Sequence, residues 1–447
     1  MSQSSAQTLE ALEVEESSTP TQGDVKRVAF ASLIGTTIEF YDYFIYGAAA
    51  ALVFPQLFFS NLSPVMASVV SFATLGVAFI TRPIGAILFG HYGDTLGRKA
   101  MLLASLLIMG LSTVAIGLLP TYETVGILAP ILLVVLRLFQ GLAVGGEWGG
   151  ATTMIIEYAP KEKRGFYGTF VQLGNAFGVL ISTGAFAIAS TLPSDAFLSW
   201  GWRVPFVASA LLLSVGIFIR LRIQEPPAFL KMKAERKEKS IPLKVVLTKY
   251  PRQVLLAAGL RMSETVFGYM AITYILQYCT KHLGMASDSI LVGVMLSALL
   301  GVGTFPLWGI LSDRIGRKNV FILGSVLAML FSFPLFMLLD TKNLFAIYLA
   351  TCICYSGLVG AMYGIEPAYL SEMFPTEIRY TGISLGSQLT GIVGGMSPMI
   401  ATVLLAWAGG NSWPISLFLI GCSIVTLICA LLVGETKDRD LNRPDTW

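Results

Sequence analysis

The chain has 447 residues, 55% of them hydrophobic and only 13% charged, with a net charge of +3, where soluble domains carry about 25% charged residues. That balance excludes a water-soluble fold. Apolar runs of roughly 20 residues, enough to cross ~30 Å of hydrocarbon at 1.5 Å per residue, recur from one end to the other, and the alternation of a closed β-barrel is missing.

Residues 1–25, with Glu10, Glu13, Glu15, Glu16 and the stretch SSTPTQ, read as a disordered tail rather than a signal peptide or a span. Twelve apolar runs follow, at about 28–58, 64–90, 98–119, 125–157, 165–191, 200–222, 252–281, 288–311, 318–339, 343–372, 380–408 and 413–433. They divide into a six-helix half over 26–222, a linker over 223–251, a second six-helix half over 252–433 and a tail over 434–447. The expected fold class is an all-α membrane protein of twelve transmembrane helices.

Lys and Arg are distributed unevenly. All but six fall in the tails and the even-numbered connections; Lys281 and Lys342 lie in odd-numbered ones, and Arg82, Arg137, Arg203 and Arg261 within or at the edges of spans. By the positive-inside rule both termini and the linker are cytoplasmic, so the linker's basic charge sets topology rather than binding nucleic acid. The five cysteines lie within or at the ends of spans, and Cys352 and Cys354, two apart on a helix, point to different faces, which argues against a metal or redox pair.

The two halves repeat one another. Gly90, Asp94, Gly97, Arg98 and Lys99 align on Gly309, Asp313, Gly316, Arg317 and Lys318 at one offset, and EYAPKEKR (Glu157 to Arg164) on EMFPTEIR (Glu372 to Arg379). Each copy of the first phrase joins spans 2 and 3 of its half, and each copy of the second joins spans 4 and 5. A tandem duplication of a six-helix unit follows. The duplicated G-x-x-x-D-x-x-G-R-K phrase resembles the signature of the major facilitator superfamily over essentially the whole chain. GTTIEFYDYFIYG, GHYGDTLGRK, RLFQGLAVGGEWGGA, SWGWRVPF and EPPAF together resemble its metabolite:proton symporter family, whose members carry shikimate, 2-oxoglutarate, citrate, or proline and betaine.

The resemblance implies a cytoplasmic latch in which Asp94 and Asp313 meet helix amino-termini and basic side chains of the opposite half. Arg98, Lys99, Arg314, Arg317, Lys318, Glu157, Arg164, Glu372 and Arg379 complete that expected gate. The alternative reading is loops that only fix topology. Charge inside the membrane is costly and marks function. It falls on Glu39 and Asp42 in span 1, Arg137 and Glu147 in span 4, Arg261 and Glu264 in span 7 and Glu366 in span 10. In the resembled fold these four spans line the central cavity.

Glu39 and Asp42 share a helical face, and the resemblance makes them the proton-carrying pair. The two histidines, His91 and His282, lie near span ends, so a mid-membrane proton site has to be a carboxylate. Permanent pairing of these acids with Arg137 is the structural alternative. Arg137 and Gln140, with Gly141 and Gly145, match an R-x-x-Q-G pattern associated in the superfamily with proton-coupled carriers. Arg261 with Glu264 is either a self-neutralising pair or a substrate contact. Tyr43, Tyr46, Gln172, Asn175, Tyr269, Tyr363, Glu366 and Gln388 complete the expected substrate lining. Arg82 is assigned to gating or topology and Arg203 to structure.

The expected function is proton-coupled import of a small organic acid or zwitterion by a monomer in a bacterial cytoplasmic membrane. The partners are substrate, protons and lipid; no cofactor, metal or nucleic acid is expected. A sugar porter, a drug antiporter and a non-transporting sensor are the rivals. No catalytic dyad or phosphate loop points to an enzyme.

Overall fold

A chain this apolar needs hydrocarbon, not water, around its outer surface, and the large side chains that stay exposed are of that kind, Ile188, Leu211 and Leu330 among them. The computed structural model describes residues 22–96, 98–145, 147–222, 242–375 and 378–439, with side chains for these except Asp24, 90–102, 219–222 and Pro242. Most of both expected tails and the first part of the linker lie outside the described residues. The rest of the linker holds a short helix, Pro242–Lys249, that the sequence reading did not separate out.

Six long segments make the first half: α1 (Gln22–Leu52), α2 (Pro64–Leu96), α3 (Arg98–Gly117), α4 (Leu128–Val144, resuming as Glu147–Tyr158), α5 (Arg164–Ser190) and α6 (Arg203–Arg222). The second half comprises α7 (Pro251–Tyr269, extended to His282), α8 (Ser287–Ile315), α9 (Arg317–Asp340), α10 (Leu344–Ser371, with breaks), α11 (Arg379–Trp407) and α12 (Trp413–Val433). Among the described residues there is no strand. Among the described residues, nine of these segments are long and apolar enough to span by themselves. The other three are α3, whose described apolar part is short, and α1 and α7, which carry Glu39 and Asp42 and Arg261 and Glu264 in their interiors. Two of these three hold interior charge, while α4 with Arg137 and Glu147 and α10 with Glu366 remain apolar enough to qualify.

Hydrocarbon offers the backbone no hydrogen bonds, so irregular turns persist only where neighbours repair them. α7 continues through π-turns at Met270–Tyr274 and Tyr278–His282, and α10 contains one at Ile353–Val359. The carbonyl of Ser356 in that turn accepts a bond of 2.9 Å from the Thr304 hydroxyl of α8. Pro83, Pro306, Pro334 and Pro398 likewise sit inside long helices.

The halves meet through α5 against α8 and α2 against α11. The duplication that maps span 2 onto span 8 and span 5 onto span 11 exchanges these two contacts, so the interface has the two-fold character of the repeat. Within the first half, a Cβ on Gly141 of α4 would collide with the Ala78 carbonyl of α2. That close approach brings the α4 arginine next to α1 and α2.

Candidate substrate, proton and gate sites

The first polar group belongs to the N-terminal half. Glu39, Asp42, Tyr43 and Tyr46 follow one face of α1 and are all buried. Arg137 of α4 is 1% exposed. Its Nη1 donates to Gln140 Oε1 at 2.9 Å, and Gln140 Nε2 donates to the Thr113 hydroxyl of α3 at 2.7 Å. The guanidinium lies over the rings of Tyr46 at 4.1 Å and Tyr43 at 4.7 Å, and Tyr46 is fixed in turn by a 2.6 Å bond to Thr74. Glu39, Asp42, Arg82, Arg137 and Gln140 line one cleft, with room for about one water.

No ion pair joins Arg137 to Asp42. Arg137 Nε and Nη2 and Asp42 Oδ1 are buried without hydrogen-bond partners. The alternative of a permanent Arg137–Asp42 pair is therefore not what this conformation contains. Arg82, assigned from sequence to gating or topology, lines this cleft with its guanidinium 4.2 Å from the Phe79 ring.

The second group lies between the halves. Arg261 Nε contacts Glu264 Oε1 at 3.1 Å and also Glu366 Oε1. Thr265 donates to Glu264 Oε1 at 2.6 Å. From α5, Gln172 Nε2 donates to the Tyr363 carbonyl at 2.8 Å and reaches Glu366 Oε2 at 3.4 Å. Trp148 of α4 donates to Gln172 Oε1 at 3.2 Å and covers the Arg261 guanidinium, 4.8 Å from its ring centre. Asn175 Nδ2 donates to the Tyr363 hydroxyl at 3.4 Å while its Oδ1 accepts from Tyr355 at 2.7 Å. Tyr269 stacks edge-on to Tyr43, 5.7 Å between ring centres, and so connects the two groups. Gln388 donates across the interface to the Gly145 carbonyl at 3.3 Å. The expected substrate residues thus fall into two clusters joined by aromatic contact, and the sequence reading missed Thr113, Trp148 and Tyr355.

The third group occupies the end of the bundle that carries the repeated phrases, here called the basic face. Where α8 crosses α5, Gly309 meets Gly165, and a Cβ on either would stand 2.6–2.8 Å from the other's carbonyl oxygen. One turn further, Asp313 accepts the backbone N–H groups of Gly165 and Phe166, both at 2.9 Å, and so caps the amino-terminus of α5. Gly309 in the phrase is what lets Asp313 reach. Gly316 takes φ +98°, turning α8 into α9.

Arg317, wholly buried, binds Asp313 at 2.7 Å and Glu372 at 3.4 Å. Arg379 from the second copy of the other phrase pairs with Glu157 from the first copy at 2.8 Å. Arg164 Nη1 donates to the Arg439 carbonyl at 3.3 Å. Arg314 is exposed and its carbonyl accepts from Lys437 Nζ at 3.0 Å; Lys318 offers its N–H to Glu435. Asp94, Arg98 and Lys99 of the first copy lie outside the described side chains.

Sequence reasoning did not place the segment after α12 in this group. Glu435 caps the amino-terminus of α9 through the N–H groups of Arg317 at 2.9 Å and Lys318 at 3.2 Å. The Thr436 hydroxyl donates to Glu372 Oε2 at 2.6 Å. The acid in GETKD (Gly434 to Asp438) was the available signal, although nothing in the sequence indicates which helix it caps. Arg203, expected to be structural, donates to the carbonyls of Gly117 and Leu119 at 2.9 and 2.7 Å, closing the end of α3.

A duplicated bundle with polar groups buried at its centre and an ionic closure at one end is the architecture of a secondary transporter. The family model for the Major Facilitator Superfamily matches residues 32–398 and 265–445, and the chain belongs to that superfamily. It is 41% identical over 424 residues to the inner membrane metabolite transport protein YhjE of Escherichia coli (strain K12), covering 93% of this chain and 95% of that one. It is 37% identical to the shikimate transporter of the same organism, with 92% and 95% covered, and 33% identical to its proline/betaine transporter, with 94% and 85% covered. The crystal structure of a D-xylose-proton symporter superposes with a TM-score of 0.72 at 20% identity, covering 93% of this chain and 99% of that one, a likeness of fold. The protein is a multi-pass membrane transporter of metabolites, not an enzyme.

Proposed function

We infer that the chain imports a small carboxylate-bearing metabolite, an organic acid or zwitterion, together with protons, by alternating access across a bacterial cytoplasmic membrane as a monomer. The basic face and both termini are on the cytoplasmic side, as the distribution of Lys and Arg favours. One observation carries the reading: Arg137 is buried with Nε and Nη2 unused, in the same cleft as an unpaired oxygen of Asp42. Burying donors without acceptors is costly, and a planar guanidinium fits a carboxylate through two parallel bonds. An incoming carboxylate supplies the missing acceptors, and Asp42 and Glu39 supply the proton-carrying groups next to it.

Tyr43, Tyr46, Tyr269, Gln140, Gln172, Asn175, Tyr363 and Gln388 then shape the cavity, and the Asp313 closure with Arg317, Glu372, Arg379 and Glu157 is the cytoplasmic gate. Uptake of labelled shikimate, proline and betaine into proteoliposomes, with and without an imposed proton gradient, tests this. Gradient-driven accumulation of a carboxylate-bearing compound that Arg137→Lys abolishes supports it. Accumulation of an uncharged sugar alone overturns it.

A further inference from the structure

The cluster between the halves does not balance its own charge. Two carboxylates, Glu264 and Glu366, converge on a single guanidinium, and both use the same nitrogen, Nε of Arg261. Glu366 is wholly buried and Glu264 nearly so. The other groups facing them are neutral. Thr265 adjoins Glu264, α10 presents Tyr363 and Tyr355, and α5 presents Gln172 and Asn175. From α4 comes Trp148. α12 packs on α7 through Ser423 and Thr426, and α11 through Thr390. No second cation faces the pair among the described residues.

A guanidinium with two ionised carboxylates leaves one uncompensated negative charge in a low-dielectric interior, which is strongly unfavourable. Two like acids sharing one site resolve this by one of them keeping its proton. We propose that Arg261, Glu264 and Glu366 form a proton-binding site of the C-terminal half, separate from the α1 acids, that holds one proton in this conformation. Protonation makes one O–H bond on a carboxylate oxygen and leaves one guanidinium paired with one carboxylate. A proton suits the space better than a substrate ammonium, because Glu366 is wholly buried and Trp148 covers the open face of Arg261.

The position gives the proton a task. Gln172 and Trp148 come from the first half, while Arg261, Glu264 and Glu366 come from the second. When the halves rock apart at this point, water reaches Glu366 and the reason for retaining the proton is removed. The site's occupancy therefore follows the conformational state, whichever residues bind substrate.

Infrared spectroscopy of the purified full-length protein tests this without any substrate, by the deuterium-sensitive carbonyl stretch of a protonated carboxylic acid at neutral pH. Glu264→Gln and Glu366→Gln should each lose the band of one carboxylic acid, because either variant leaves a balanced pair, and the double variant should lose no more than one. Asp42→Asn should retain that band, which separates this outcome from any failure of the α1 proton site. Arg261→Gln reads in the opposite direction and should gain one protonated carboxyl, so a poorly folded Gln variant of either acid does not leave the question open. Wild-type carboxylic-acid intensity in both single Glu variants, or in Arg261→Gln, overturns the proposal.

Discussion

Asp313 makes three short contacts, two to the amino-terminal N–H groups of α5 at 2.9 Å and one to Arg317 at 2.7 Å. The first two join the halves, so they exist only while the basic face is closed. Asp313→Asn leaves a side-chain carbonyl that still accepts one of these bonds and removes the charge. Hydrogen bonds to charged groups contribute about 1.5–3 kcal/mol each, and a carboxylate at a helix amino-terminus adds about 0.3–1 kcal/mol. Allowing for the bond that Asn keeps, the closed state should lose about 2–3 kcal/mol, a roughly 30- to 140-fold shift toward opening at 1.4 kcal/mol per tenfold. Ser371 is a suitable reporter, being wholly buried in the part of α10 that packs on α4 and α5, with a hydroxyl that has no partner. In a background lacking the native cysteines, Ser371→Cys should react with a membrane-impermeant thiol reagent at the basic face tens of times faster once Asp313→Asn is added. Equal labelling rates with and without the substitution would refute the argument that Asp313 holds this face shut.

Four further outcomes follow from the same geometry. Arg137→Lys keeps the charge but loses the planar fork, so binding of a carboxylate substrate should weaken by about tenfold or more, measured by equilibrium binding in detergent. Asp42→Asn should abolish uphill accumulation while leaving counterflow exchange, because an amide hydrogen-bonds but carries no proton; substrate-induced proton influx in the same vesicles reads the difference. Glu435→Gln removes the charge capping α9 without touching the interface between the halves, and should speed Ser371→Cys labelling by less than Asp313→Asn does. Just past α10, burial pushes the Glu372 carboxyl above its ordinary range, and nearby Arg317 offsets only part of that. The closed state therefore binds this proton more tightly than a hydrated open state, so closure should strengthen as the pH at the basic face falls through the raised value toward the ordinary one. Glu372→Gln should flatten that dependence of labelling on pH.

The number of spans, the duplication and the identity of the charged residues were legible because each is a property of a single stretch or of two stretches at a constant offset. Asp313 could be picked out in this way, since the glycine one turn before it and the basic residues after it are written in one phrase. Partners were not legible in the same way. Arg261 was visibly near Glu264 at i, i+3, yet the contact that unbalances it comes from Glu366 on another helix. Arg137 looked like the counter-ion of Asp42 because both are charged and lie on cavity helices, but two tyrosines of α1 and Gln140 occupy its near side. Helix register and crossing decide those outcomes, and both depend on where small residues permit contact across the bundle. The same reasoning explains why the tail was missed: GETKD is too short to carry a period, and Glu435 gains its meaning only from the exposed N–H groups that begin α9. In a membrane bundle the sequence names the costly groups, because hydrocarbon tolerates few of them. Whether such a group is a latch, a ligand or a proton carrier depends on which of its hydrogen bonds are left unmade, and only the packed helices determine that.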